Sequence, residues 1–375
     1  MAKRRISLLL KGLYWTLAIA VGLLPAPDAG AQAKTTPTAA KAKAQKYKTA
    51  KRKPPPARVA ELDPLTEWEL VNGAAMEARA KLKKARKPEA IRQQLVELAI
   101  RSAAGAERAL ALGNSSLFDA FRTQLREQFP AQRWRLGQMA ERGSGRAAFA
   151  RGVLALHGIF EPPAVDAACR HFGAALAKGY AGAKFRLSQC LEKNEPARAA
   201  ALMREAADSG HPAAAELLGR ACLEASPSQP ECAWERLTVA AAAGRPSAQS
   251  VLAWMYAQGV GGRSDPARAA RLYLQAARAG DASAQNNAGE LYETGRGVKR
   301  DPKLALDWYR KAAETGFPAA QFNLGRLYAA GTGAPRDFAE ARKWLEKAAQ
   351  GGIDPARQLL DWMEKEETDK QPAGQ

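Results

Sequence analysis

The 375 residues are 46% apolar, 25% charged and 7% aromatic, which supplies packed cores and excludes a disordered or fibrous chain. The formal charge is +19, yet residues 1–60 hold 13 Lys and Arg against one acid, Asp28, and so carry +12 of it. The remaining 315 residues carry only +7, so the basic character belongs to the N-terminus and not to the folded part.

The chain opens with Lys3, Arg4, Arg5 and Lys11, then an apolar run from Gly12 to Leu24, and reaches Ala31-Gln32-Ala33. Positive start, apolar stretch and A-x-A site are the parts of an export signal, here residues 1–33 with cleavage after Ala33. The alternative is an inner-membrane anchor formed by residues 12–24, but a spanning helix needs roughly 20 apolar residues. The expected location is the bacterial periplasm or the outside. Residues 34–60 follow with nine Lys and Arg, no acid and four Pro. Such a segment has nothing to bury and is expected to be a disordered basic tether. Lys51, Arg52 and Lys53 give it a possible contact with an anionic surface. Tyr47 is its one aromatic residue, so it lacks the stacking side chains of a single-strand binder, and no nucleic acid partner is expected.

Residues 61–142 read as helices. Asp63-Pro64 opens one with Leu65, Trp68 and Ala75; Pro88 opens another with Ile91, Leu95 and Leu98. Phe118, Phe121 and Leu125 mark a third before Pro130, and Trp134 a fourth. The segment is either a helical cap or a set of degenerate repeats, and both readings stay open.

Beyond it the chain repeats itself. Tyr256, Tyr292 and Tyr328 stand 36 residues apart, and so do Gly259, Gly295 and Gly331, Asp265, Asp301 and Asp337, and Gly280, Gly316 and Gly352. Four series at one period define a tandem array. Each unit predicts two helices. In one, Ala284, Ala288, Leu291 and Tyr292 share a helical face, and Gly295 ends the helix because glycine tolerates the left-handed conformation there. Asp301 caps the next helix and Pro302 suits its first position. Ala305, Trp308, Tyr309, Ala312 and Ala313 form its apolar stripe, and Gly316 stops it.

The arrangement Ala-x-x-x-Leu-Gly-x-x-Tyr-x-x-Gly-x-Gly, followed by Asp, Ala, Ala-Ala and Gly, resembles Sel1-like repeats, relatives of tetratricopeptide repeats. Residues 245–280, 281–316 and 317–352 match it closely; looser copies occupy 146–179, 180–210 and 211–244. The resemblance implies an all-α, right-handed α-solenoid of about six helix pairs over 143–352, with 353–375 as a capping helix and charged tail beginning at Asp354-Pro355. It also implies adaptor or scaffold work through protein–protein interaction.

Four cysteines, Cys169, Cys190, Cys222 and Cys232, lie in the looser copies. In an oxidising compartment they allow three connectivities. Aligned on the repeat, Cys222 and Cys232 fall at one end of a hairpin, and Cys169 and Cys190 at one end of adjacent helices. The favoured pairs are therefore Cys169–Cys190 and Cys222–Cys232. No two-residue Cys spacing suggests a metal site, and nothing asks for a cofactor. His157, His171 and His211 form no close pair, and S-x-x-K, G-x-S-x-G and Walker A elements are missing. Gly295-Arg296-Gly297 resembles a phosphate loop but recurs with the repeat, which makes it a turn. No enzymatic activity is expected; a cryptic hydrolase is the rival reading.

Binding is expected on the row of first helices, at positions that vary between units. These are Phe185 and Gln189, Glu216 and Arg220, Ser250 and Trp254, Asn286 and Glu290, and Phe322 and Arg326. Each pair is spaced i, i+4 and shares a helix face; Trp254 and Phe322 are the expected anchors. The function read from the sequence is an exported envelope scaffold binding another protein or an envelope polymer. The alternative is an electrostatic cell-wall or membrane binder acting through the basic tether.

Overall fold

The computed structural model describes residues 63–82, 85 and 88–368. The expected signal peptide, its apolar run 12–24, and the tether with Lys51, Arg52 and Lys53 lie outside the described residues. Among the described residues there are 17 α-helices and no strand.

Four helices come first: α1 (Pro64–Leu82), α2 (Glu89–Ala111), α3 (Ser115–Gln128) and α4 (Arg133–Glu141). Hairpins follow. They are α5 (Gly145–Leu156) with α6 (Val165–Ala177), α7 (Lys184–Leu191) with α8 (Pro196–Asp208), and α9 (Pro212–Glu224) with α10 (Pro230–Ala242). Next come α11 (Pro246–Gln258) with α12 (Pro266–Arg278), α13 (Ala282–Thr294) with α14 (Pro302–Glu314), and α15 (Pro318–Ala330) with α16 (Phe338–Gln350); α17 (Asp354–Thr368) ends the series. Each first helix packs mainly on its hairpin partner, and each second helix packs on the following pair. First helices also meet directly, as α11 meets α13. The array is an α-solenoid.

Local chemistry explains the helix limits. The carboxylates of Asp265, Asp301 and Asp337 accept hydrogen bonds from the backbone N–H groups of Arg268, Leu304 and Glu340 at the starts of α12, α14 and α16. They satisfy donors that a helix cannot satisfy itself. Gly259, Gly295 and Gly331 close α11, α13 and α15 in the left-handed conformation. Two further glycines sit where no side chain fits. A Cβ on Gly297 would lie 2.5 Å from the Pro266 carbonyl oxygen, and one on Gly333 2.3 Å from that of Pro302. The loops that resemble phosphate cradles are thus turns pressed onto the start of the preceding unit's second helix.

Within a hairpin, a small residue on the first helix receives a large one from the second. A Cβ on Gly289 would meet the Tyr309 ring at 2.7 Å, and one on Gly325 would meet Leu345 at 2.7 Å. Gly219 faces Leu237 in the same way, and Gly152 faces Phe172. Where the repeat loses this glycine, Ser188 and Ala253 take the place and are buried. The rule is close approach of helix backbones, with the volume restored by one bulky side chain.

One apolar core runs from Val71 in α1 to Leu202 in α8. Further clusters continue it along the later pairs. Both expected cysteine pairs are at bonding distance. Cys169 and Cys190 link α6 to α7 with Cα atoms 5.7 Å apart, and Cys222 and Cys232 link α9 to α10 at 5.9 Å.

Candidate functional site

The row of first helices is where the variable stripe falls, and the structure divides that stripe in two. Phe185, Glu216, Ser250, Phe322 and Arg326 are buried, with exposures of 3–9%. This corrects the expectation that they offer surface contacts, and it removes Phe322 as an anchor. For Phe185, Glu216, Ser250 and Arg326 the reason is lateral packing: each meets the neighbouring first helix or the residue before it. Phe185 stacks on His211 with ring centroids 4.3 Å apart. Glu216 accepts from Arg220 at 3.2 Å and from Arg245 just before α11. Ser250 donates to Asp281, the cap of α13, at 3.3 Å. Arg326 donates to both oxygens of Glu293 on α13, at 2.9 and 2.6 Å, and Tyr309 donates to the same carboxylate at 3.0 Å.

The remaining members stay at least partly open. Gln189 and Arg220 are exposed, and Trp254, Asn286 and Glu290 are half-buried. Trp254 packs between the cores of two successive pairs. Asn286 accepts from Asn323 at 3.0 Å across α13 and α15. Residues that the variable-position reading missed complete the row. Arg245, Asp281, Glu293 and Asn323 are its partners, and only Asp281 carried a signal, as a helix cap. Leu217 is 47% exposed beside Arg220 on α9; an exposed leucine on an Ala-rich helix has no periodic signature.

Part of the row is covered by the chain itself. The C-terminal end of α2 lies against the first helices of three pairs. Glu107 on α2 meets His157 at the end of α5, at 2.8 Å, and accepts from Arg186 on α7 at 2.5 Å. The Ala111 carbonyl accepts from Arg245 at 2.5 Å. Burial pushes the Glu107 carboxyl up, but the hydrogen bond from His157 and the charge of Arg186 outweigh it and hold the group below the ordinary carboxylate range. His211 caps α9, its Nδ1 accepting from the Ala214 N–H at 3.4 Å. Burial, assisted by Arg186, lowers its pKa to about 4. Desolvation and nearby guanidinium charge both disfavour the imidazolium, and a capping Nδ1 must be unprotonated. The open part of the row presents aliphatic, aromatic and hydrogen-bonding groups. Among the described residues no cluster of His, Cys, Asp and Glu is placed to hold a metal ion.

Comparison with known proteins agrees with this geometry. The Sel1 repeat family matches residues 183–211, 246–281, 282–317 and 318–353. The chain carries Sel1 repeats. The three consecutive matches are the hairpins α11–α12, α13–α14 and α15–α16, and the Sel1 segment 183–211 contains α7 and α8. A Sel1 repeat protein from Oxalobacter formigenes is 25% identical, covering 82% of this chain and 95% of that one, with a TM-score of 0.50. A protective antigen of uropathogenic Escherichia coli strains, displaying an SLR fold, is 22% identical over 81% of this chain and 72% of its own, with a TM-score of 0.58; the likeness is one of fold. A search of curated proteins found no match. Sel1 repeats typically form protein-interaction scaffolds and are generally non-enzymatic.

Proposed function

We propose that this chain is an exported scaffold of the bacterial envelope that holds another protein on the open part of its first-helix row. The observation that carries the reading is Trp254, a half-buried indole seated between two repeat cores. Asn286 and Glu290 follow it on α13, and Leu217 and Arg220 precede it on α9. Aromatic and Arg side chains supply much of the energy at protein interfaces, and a rigid seat lowers the entropy lost on binding. The two cysteine pairs support an oxidising compartment outside the cytoplasm. Among the described residues no helix is long and apolar enough to cross a membrane, and export is assigned to residues 1–33.

The test is site-specific photo-crosslinking in cells. A benzophenone amino acid at Trp254 or Glu290 is expected to trap a discrete protein, and one at Val239, exposed on α10, is expected to trap none. Equal labelling from all three positions, or none from any, would refute the assigned row. The composition of residues 34–60 favours a second reading, in which the tether locates the protein on an anionic surface. That reading predicts sedimentation with cell envelopes that is lost above the salt concentration at which surface charges are screened, and lost on deleting residues 34–60.

A further inference from the structure

A second groove, away from the Trp254 row, lies between α4, α6 and the loop 157–164 that joins α5 to α6. Its cavity is about 900 Å³, far larger than a lone inorganic anion. Arg126 steadies the loop by donating to the carbonyls of Ile159 and Gly158, at 2.8 and 2.9 Å. The groove concentrates positive charge. Arg133 enters from α4, Arg151 from α5, and Arg170 and His171 from α6. Arg133 is taken up by Glu161 on the loop. No carboxylate among the described residues pairs with Arg151 or Arg170. The other acidic group of the lining is Glu141 on α4, which is exposed. Arg151 lies across α4 at Gly137, where an added Cβ would stand in ordinary contact, 3.7 Å from the guanidinium. The remaining wall is apolar, with Leu154 and Phe160, and Trp134 beside it is 67% exposed.

We propose that this groove binds a short acidic peptide of a partner protein, its carboxylates on Arg151 and Arg170 and an apolar side chain on Trp134 and Phe160. Unpaired guanidiniums favour carboxylates through charge-assisted hydrogen bonds. The size of the cavity and its apolar wall call for a ligand with side chains. The adjacent imidazole reports on the site: burial, then the charges of Arg151 and Arg170, hold the His171 pKa below its ordinary value. A bound carboxylate relieves that repulsion and raises it.

The chain has three histidines, so each ring gives a separable proton resonance in the full chain. The probes are the acetylated, amidated octapeptide Glu-Ala-Glu-Leu-Phe-Glu-Ala-Glu, its Glu-to-Gln counterpart, and inorganic phosphate. The acidic peptide is expected to shift the His171 resonance saturably and raise its pKa, leaving the His211 pKa unchanged. Arg151→Ala with Arg170→Ala is expected to weaken binding at least tenfold. Trp134→Ala, at an exposed site where folding is not at risk, is expected to weaken it while the His171 pKa of the free protein stays as it was. No His171 response at millimolar acidic peptide would overturn the proposal. So would an equal response to the Gln peptide, and an equal response to phosphate would reduce the groove to a plain anion site. These outcomes are independent of crosslinking at Trp254, so either site can fail alone.

Discussion

His211 shows how one side chain can couple packing to pH. Its ring stacks on Phe185 and its Nδ1 caps α9, a role that belongs to the neutral imidazole. With a folded pKa of about 4 against an ordinary value of 6.5, the unfolded chain takes up a proton in this window while the folded chain does not. Stability therefore falls as pH drops from 6.5 to 4, by roughly 2–3 kcal/mol in total. In urea melts across that range, His211→Asn, which retains a capping acceptor, is expected to flatten the dependence. Glycines give an opposed pair of predictions. Gly325→Ala drives a Cβ into Leu345 and is expected to cost about 1–3 kcal/mol. Gly73→Ala, in α1 with no atom within 4 Å of the new Cβ, is expected to gain about 0.5–1 kcal/mol through helix propensity. Thermal melts of the two variants would separate packing from propensity.

Among the elements, α2 behaves unlike the repeat helices. It runs for 23 residues where most repeat helices have 13, and its far end seals part of the row through Glu107 and Ala111. Glu107 holds Arg186 and His157 in a site largely closed to water, so removing its charge leaves buried partners unmatched. Glu107→Gln is expected to destabilise the docked end by about 3 kcal/mol. Hydrogen exchange would show faster amides at the end of α2 and in α7, with α13 to α16 unaffected. Because the folded pKa of Glu107 is depressed, its contribution is present above the ordinary carboxylate range and lost as pH falls through the folded value. Acid acts on Glu107 and His211 in the same direction, so the contact between α2 and the row should be the first to loosen. An unchanged exchange pattern at pH 4 would contradict this.

Across the whole molecule, stability is a sum of hairpins and the contacts between neighbours, and the two disulfides sit in the hairpins least faithful to the repeat. Cys169–Cys190 and Cys222–Cys232 brace α6 to α10, where the repeat tyrosines are missing. Replacing Cys222 and Cys232 by serine is expected to cost about 2–3 kcal/mol. The loss should appear as local exchange in α9 and α10, while α13 to α16 keep their protection. Uniform loosening along the array would mean that the repeats unfold as one unit. The period, the helix class, the Asp caps, the closing glycines and the cysteine pairing were legible in the amino-acid order, because each rests on chemistry within one or two units. Which variable positions are open was not. Trp254 and Arg326 hold the same repeat position on their helices, yet the first is half-open and the second buried, since exposure is decided by side chains of the neighbouring pair. The docking of α2 was equally hidden: Ala111 and Arg245 are separated by 134 residues, and no local pattern records a contact at that distance. Tertiary packing alone chose which part of the row the chain covers and which it leaves open.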